Sequence, residues 1–169
     1  MKRLTLLGAV AALTGSATAL GRKESPMRVR ELMTGALITV GPDTGVLEAR
    51  RLMHEKQIRH LLVTGQGGVL LGIVTDRDIR LNVPSQATSL SVWEINHLLT
   101  WLRVDKVMTR SVITIGPDRE TRDAAQLMLE HRIGALPVVD TGGLIGIVTE
   151  TNLLRAYVRS ADLAVALRA

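Results

Sequence analysis

The chain has 169 residues, of which 46% are hydrophobic and 22% are charged, a composition typical of a folded globular protein and not of a disordered one. It contains no cysteine, which excludes disulfide bonds, thiol nucleophiles and cysteine-ligated zinc, and its 2% of aromatic residues leaves almost no platform for stacking nucleic-acid bases. Residues 1–26 contribute three of the five net positive charges, so the rest of the chain carries too little positive charge to favour nucleic-acid binding.

Residues 1–26 form an apolar N-terminal leader that we treat separately from the fold. Two basic residues precede an uncharged run from Leu4 to Leu20, and an Ala-Thr-Ala pattern ends at residue 19. These features are typical of a secretory signal peptide or, less well, of a membrane anchor. The alternative is that translation begins at Met27 and that the leader is an upstream extension.

The rest of the chain contains an internal repeat, because residues 29–83 align with residues 104–158 at an offset of 75 that falls to 74 after a one-residue gap. The segment Gly72-Ile73-Val74-Thr75, for example, matches Gly146-Ile147-Val148-Thr149. We therefore divide the chain into the leader, a first repeat (27–83), a connection (84–103), a second repeat (104–158) and a C-terminal tail (159–169).

Each repeat has the same predicted order of elements. In the first, a strand over 38–40 ends in a Gly-Pro-Asp turn, in which Asp43 offers a helix N-cap. There follow a helix over 46–57, a strand over 61–63, a turn at 66–68, a strand over 70–74 and a short helix from Thr75 to Asn82. The order β-α-β-β-α, found twice, predicts an α/β (α+β) fold of two units packed sheet to sheet with pseudo-two-fold symmetry.

The connection is predicted to be an amphipathic helix. Ser91 and Glu94 form a capping box, and apolar residues follow on one face: Ile95, Leu98, Leu99 and Leu102. Trp93 and Trp101 mark either a partner surface or the edge of the core. In the second repeat, the helix carries an apolar arc wider than one buried stripe needs, which favours a homodimer: Ala124, Ala125, Leu127, Met128 and Leu129.

At the junction between strand and helix, Thr75-Asp76-Arg77-Asp78 has the spacing of a helix capping box. Capping alone would account for Thr75 and Asp78. The same helix start presents backbone N–H groups and the positive end of a helix dipole, which suit a phosphate. The residues alone therefore leave a structural role and a binding role open.

Together these features resemble the cystathionine β-synthase (CBS) domain family, and the tandem is similar to its paired arrangement, the Bateman module. The resemblance covers residues 29–158. It rests on Met33-Thr34, on the Ala-Leu-Pro-Val-Val-Asp segment at 135–140, and on the two Gly-Ile-Val-Thr segments. It implies a regulatory pair that binds an adenosine-containing ligand in the clefts between the repeats, requires no cofactor and forms a homodimer through its helices.

The resemblance also implies which residues bind. Thr75 would donate its hydroxyl to a phosphate, and Asp78, an acceptor only when ionised, would bind the two ribose hydroxyls. Arg59 and His60 would lie near the phosphates, unless they are simply solvated residues at the start of a strand. The adenine would lie against the second repeat, at Thr109, Val112, Thr114, Ile133 and Gly134.

The second repeat departs from this pattern. Asn152 stands where the ribose-binding Asp is expected, and it can accept one hydrogen bond but lacks the charge of a carboxylate. Gly134-Ala135 stands where the first repeat has Arg59-His60. A second cleft at Thr149, Asn152, Thr34 and Thr39 is therefore predicted to bind a phosphorylated ligand weakly or not at all.

The sequence predicts neither a catalytic residue nor a metal site. His54, His60, His97 and His131 lie at no metal-ligand spacing, and no dinucleotide or P-loop motif occurs. The leading hypothesis is a non-catalytic sensor of AMP, ADP or ATP, with S-adenosylmethionine or a cyclic dinucleotide as other ligands, acting on a protein partner that the sequence does not identify. The alternatives are a purely structural dimerisation module and a nucleic-acid-binding pair.

The ligand and the leader favour different compartments. Adenine nucleotides are abundant in the cytosol, whereas the leader favours export or membrane anchoring. Because the ligand argument uses more of the chain, we predict a cytoplasmic protein.

Overall fold

A computed structural model describes residues 26–82, 91 and 99–166. The first repeat contains α1 (Val29–Leu32), β1 (Thr39–Val40), α2 (Val46–Glu55), β2 (His60–Thr64), a 3₁₀ turn (Gln66–Gly68), β3 (Leu70–Thr75) and α3 (Asp76–Asn82). The second contains α4 (Val104–Val107), α5 (Thr121–His131), β4 (Ala135–Asp140), β5 (Gly143–Thr149) and α6 (Glu150–Ala166).

The strands form two small sheets, one in each repeat. In the first, β1 pairs in parallel with β2, and β2 pairs antiparallel with β3. In the second, β4 and β5 are antiparallel, and the place of a first strand is taken by a single parallel bridge between Ile115 and Val138. The predicted β-α-β-β-α order is thus complete in the first repeat and reduced by one strand in the second.

Each sheet is covered on both faces. Leu61 and Val63 are fully buried in a core that α2 and α3 complete, and Leu136 and Val138 occupy the corresponding core of the second repeat. Because successive residues of a strand point to opposite faces, Leu62 lies on the other face, and it too is buried. Burial on both faces is what two sheets packed face to face require, and the predicted fold class is confirmed.

The repeats exchange their first segments. Val29 of α1 is buried in the core of the second repeat, whereas Val104 of α4 is buried in the core of the first. The backbone after each short helix then pairs with a strand of the other repeat, Thr34 with Ile147 and Thr109 with Ile73, through two N–H···O bonds each, with N···O distances of 2.9 to 3.1 Å. The two cores are therefore interdependent.

Glycine permits both crossings. A Cβ atom built on Gly72 would lie 2.7 Å from the Met108 sulfur and 2.8 Å from the Thr109 carbonyl oxygen. On Gly146 it would lie 2.7 Å from the Met33 sulfur and 3.3 Å from the Thr34 carbonyl oxygen. Real Cβ atoms essentially never come within 3.0 Å of another atom, so a larger residue would displace the backbone of the exchanged segment at Gly72 and the Met33 side chain at Gly146.

One local prediction is wrong. Asp43 does not cap α2, which begins at Val46 with Gly45 in the N-cap position and without a side-chain cap. Asp43 is exposed and lies three residues before the first helical position. The N–H group of Val46 donates instead to the Leu102 carbonyl oxygen. The backbone of the connection thus takes the place of a side-chain cap.

Part of the predicted connection and leader falls outside the described residues, including Trp93 and Glu94, the second member of the predicted capping box. Residues 99–101 are helical, with Leu99 buried in the first core and Leu102 packed against it. Trp101 is 66% exposed, and on α5 Leu129 is 80% exposed. Among the described residues, no helix combines the length and hydropathy that crossing a bilayer requires.

Candidate functional site

Two clefts lie between the repeats, and we call the larger one the first cleft. It has a volume of about 450 Å³ and is lined by the start of α3 from the first repeat and by residues 109, 111–113 and 132–135 from the second. Eight of the nine residues predicted for the principal site line it: Arg59, His60, Thr75, Asp78, Thr109, Val112, Ile133 and Gly134. The exchanged segments bring these distant parts of the sequence together.

Two predicted residues lie elsewhere. Thr114 is exposed and lines a separate depression beside the turns at 67–70 and 142–144, and Thr39 is exposed on β1 and lines none of the three cavities described here. In extended backbone, alternate side chains point in opposite directions. Ile113 and Ile38 line the two clefts, so the threonine that follows each of them faces away.

Thr75 and Asp78 form a complete capping box at the edge of the first cleft. The backbone N–H and the hydroxyl of Thr75 both donate to Oδ2 of Asp78, at 2.8 and 2.7 Å, and the Asp78 N–H donates to the Thr75 hydroxyl oxygen at 3.1 Å. This side-chain geometry starts α3. It also holds the carboxylate in one orientation.

The capping box leaves one carboxylate oxygen for a ligand. Oδ2 of Asp78 accepts two hydrogen bonds, and within the described part of the chain Oδ1 accepts none. A carboxylate oxygen has two lone-pair directions. The number of acceptor positions left equals the number of hydroxyl donors on a ribose, and their orientation is fixed in advance by Thr75.

The capping box changes the role expected of Thr75. Its hydroxyl proton is donated to Asp78, so binding a phosphate would require that bond to break. Two N–H groups at the helix start are also taken, that of Asp76 by the Arg59 carbonyl and that of Asp78 by Thr75. Thr75 therefore positions Asp78, and a phosphate needs other donors.

Four arginine side chains line the first cleft and carry N–H donors, and three of them, Arg77, Arg80 and Arg132, were missed by the sequence-based prediction. Arg59, Arg77 and Arg132 line the first cleft, and none of them makes an ion pair with any other residue that the structure describes. Arg132 ends α5 with φ of 54°, a left-handed conformation. In the aligned repeats Arg132 corresponds to Gln57, and this difference between the repeats could have drawn attention to Arg132.

The opposite wall of the first cleft is apolar. Ile73, Val112, Ile113 and Ile133 line it, each partly exposed, and Gly134 keeps it open. A Cβ atom at Gly134 would lie 3.4 Å from both the His60 Nε2 and a Glu150 carboxylate oxygen. Glu150, which the sequence-based prediction also missed, adds a third carboxylate to those of Asp76 and Asp78 in this cleft.

The second cleft, of about 240 Å³, contains Thr34, Thr149 and Asn152 as predicted. The Thr149 N–H and hydroxyl donate to Oδ1 of Asn152 at 2.9 and 2.6 Å, as in the first repeat. The prediction that Asn152 accepts a bond from a ligand therefore needs correction, because the cap already uses its oxygen. The amide nitrogen, a donor, is the polar atom left for the cleft.

His60 is half-buried at the junction of the two clefts. Burial, and then the positive charge of Arg59, lower the pKa of its imidazole below the ordinary value of 6.5, while the Asp78 carboxylate opposes the shift. The neutral form is thus favoured in the folded protein. Because the unfolded chain takes up this proton more readily, the free energy of unfolding should fall as the pH decreases below 6.5.

We expect His60→Gln to reduce this loss of stability on acidification. Glutamine keeps a polar side chain of similar reach and has no proton to gain in this range. The check is the urea midpoint of unfolding between about pH 5 and pH 8, with the exposed His54→Gln variant as control. An unchanged pH dependence in His60→Gln would show that other groups cause it.

Within the described residues, no group of three histidine, aspartate or glutamate side chains is placed to hold a metal ion. The first cleft instead offers a fixed acceptor, an apolar wall and three guanidinium groups that make no ion pair within the described part of the chain, beside Arg80, which is paired with Asp76. These are groups that bind a ligand with hydroxyls, negative charge and a flat apolar part.

Comparison with known proteins identifies the family of the chain. Residues 29–85 and 104–159 each match the family model for the CBS domain. The CBS domain-containing protein YhcV of Bacillus subtilis (strain 168) is 35% identical over 125 residues, which are 74% of this chain and 81% of that protein.

Two solved structures are similar over most of the chain. The crystal structure of CBSX2 in complex with AMP has a TM-score of 0.66 and 35% identity, covering 79% of this chain and 97% of that chain. The CBS domain pair of protein MJ0100, in complex with 5′-methylthioadenosine and S-adenosyl-L-methionine, has a TM-score of 0.66 and 25% identity, covering 80% and 98%. The chain therefore belongs to the CBS domain family and carries two CBS domains in tandem.

Proposed function

We propose that the protein is a non-catalytic regulatory module that binds an adenosine-containing ligand of the AMP, ADP or ATP class in the first cleft. The observation that carries this proposal is the Asp78 carboxylate, which lines the first cleft, is held through Oδ2 by Thr75 and has no hydrogen bond to Oδ1 within the described part of the chain. The reported complexes of CBSX2 with AMP and of MJ0100 with two adenosine compounds support the class of ligand.

Each part of the ligand has a counterpart in the first cleft. The ribose hydroxyls donate to Asp78, and the adenine lies against the apolar wall that includes Val112 and Ile133. The phosphates lie near Arg59, Arg77 and Arg132, because guanidinium groups bind phosphate oxygens in pairs.

Binding in this cleft would change how the two repeats pack. The acceptor comes from the first repeat, whereas Val112, Ile113 and Ile133 of the apolar wall come from the second, so a bound ligand favours the packing that keeps both in reach. A protein partner that binds only one of the two arrangements of the repeats would then respond to the ligand. Pull-down experiments with and without nucleotide would identify this partner.

A thermal-shift series tests the proposal. AMP, ADP and ATP, each at saturating concentration, should raise the melting temperature, and S-adenosylmethionine and cyclic di-AMP test the other adenosine ligands. GMP is the matched control, because it keeps the ribose and phosphate and changes only the base. An unchanged melting temperature with all the adenosine compounds would count against the proposal.

A second candidate, a structural homodimer without a ligand, is favoured by the exposed apolar residues on the outer helices, above all Leu129 at 80% and Tyr157 at 73% exposure. This candidate predicts that nucleotides leave the melting temperature unchanged and that the protein sediments as a dimer. We also propose a cytoplasmic location, since the ligand is abundant there. Mass spectrometry of the native N-terminus distinguishes this from export.

A further inference from the structure

The second cleft differs from the first in the charge of its lining. Its ionisable residues, within the part of the chain described, are Arg59, His60 and Arg155, with no carboxylate among them. The first cleft, by contrast, has carboxylates from Asp76, Asp78 and Glu150 beside its arginines. A negative ligand group therefore meets only favourable charge in the second cleft.

The hydrogen-bonding groups of the second cleft also suit an anion. Asn152 uses its oxygen in the capping box, so its amide nitrogen is left as a donor, and Gln57 and Thr151 line the same cavity. The fixed carboxylate that would accept from two ribose hydroxyls is missing here. The cavity of about 240 Å³ is also smaller than the first cleft at about 450 Å³.

The two clefts share a wall. Of the described residues, Arg59 and His60 are the two that line both cavities. Arg59 is exposed and makes no ion pair within the described part of the chain. Anions bound in the two clefts would have to share the five N–H donors and the single positive charge of this one guanidinium, so each would leave fewer donors and less charge for the other.

We infer that the second cleft is a site for a compact anion of the phosphate or pyrophosphate type, which competes with the ligand of the first cleft for Arg59. Occupancy of either cleft by an anion then weakens anion binding in the other, and by linkage the effect is equal in both directions. The competition rests on the proposed function of the first cleft, whereas the anion site stands without it.

Calorimetric titration of the whole chain with AMP, with and without saturating inorganic pyrophosphate at constant ionic strength, tests the inference. We expect pyrophosphate to weaken AMP binding roughly fivefold or more. Arg155→Gln, which alters a residue of the second cleft alone, should remove the effect of pyrophosphate. Arg159→Gln, one turn further along α6 and outside the lining, should retain it.

The outcomes separate the two proposals. If pyrophosphate weakens AMP binding equally in Arg155→Gln, it competes inside the first cleft and the inference is wrong; the same holds if it has no effect in the unaltered protein. If none of AMP, ADP and ATP binds, the proposed function fails, and direct titration with pyrophosphate decides the anion site. If pyrophosphate binds the unaltered protein but neither Arg155→Gln nor Arg59→Gln, the anion site is supported. If pyrophosphate does not bind the unaltered protein, or if either variant binds it as tightly as the unaltered protein, the anion site is overturned.

Discussion

Gly72→Ala is expected to destabilise the protein by about 1–3 kcal/mol, the usual cost of overpacking a filled core. The new methyl group would lie 2.8 Å from the Thr109 carbonyl oxygen. That oxygen accepts a hydrogen bond from Ile73, the next residue of the same strand, so it cannot move away without breaking this bond. Alanine also reduces the entropy of the unfolded chain, but this gain of about 0.4–1 kcal/mol is smaller than the clash. The measurement is the free energy of unfolding from urea denaturation.

Two other glycines make the comparison specific. At Gly146, the close contact is the Met33 sulfur at 2.7 Å, while the Thr34 carbonyl oxygen is further away at 3.3 Å. A methionine side chain can rotate, so Gly146→Ala should cost less than Gly72→Ala. Gly35, whose Cβ would meet only one atom at 3.9 Å, is the control and should change stability by less than about 0.5 kcal/mol. Equal costs at all three positions would contradict the account of the crossings.

The elements themselves were predictable, because each has a local cause. The strand predicted over 61–63 is found as His60–Thr64, and the helix predicted over 46–57 is found as Val46–Glu55. The Thr75 capping box was also visible from the spacing of Thr and Asp. The cap by Asp43 failed because a distant backbone carbonyl, that of Leu102, serves α2 instead.

The exchange of first segments was not predictable from one sequence. Val29 and Val104 occupy matching positions in two similar repeats, so either could fill either core with the same apolar contact. The close approaches at Gly72 and Gly146 show that the strands accept a crossing segment, but they do not say from which repeat it comes. This information lies in the three-dimensional connection alone.

The candidate site was predictable as far as the repeats are similar. Resemblance identified Asp78 and most of the opposite wall, whereas Arg132 depends on a left-handed residue at the end of α5, and Glu150 on the exchange that brings α6 beside His60. Thr114 was wrongly assigned to the first cleft. In an extended segment the side chains alternate in direction, so the side that Thr114 faces is known only once the direction of the Ile113 side chain is known. Side-chain direction is set by packing that one sequence does not reveal.

Asp78→Asn is expected to weaken AMP binding roughly 10- to 100-fold, as the loss of hydrogen bonds to a charged acceptor predicts, while leaving the fold intact. The second repeat contains this very arrangement, since the Asn152 oxygen accepts the same two bonds from Thr149. Asparagine at position 78 should therefore keep the helix cap. What it changes is the atom left for the ligand, which becomes an N–H donor facing the ribose hydroxyls.

Two further variants separate capping from binding. Asp78→Ala should weaken AMP binding and also cost about 1 kcal/mol of stability, because it removes the carboxylate that accepts two bonds from Thr75, the half of the capping box that Asp78→Asn retains. Asn152→Asp, the reverse change in the second cleft, should keep its cap and create a free carboxylate oxygen there, so that adenosine without phosphate can gain a second site. Calorimetric titration with AMP and adenosine, beside urea denaturation of each unliganded variant, measures both properties. If Asp78→Asn binds AMP as tightly as the unaltered protein, the carboxylate is only a helix cap and the ribose is bound elsewhere.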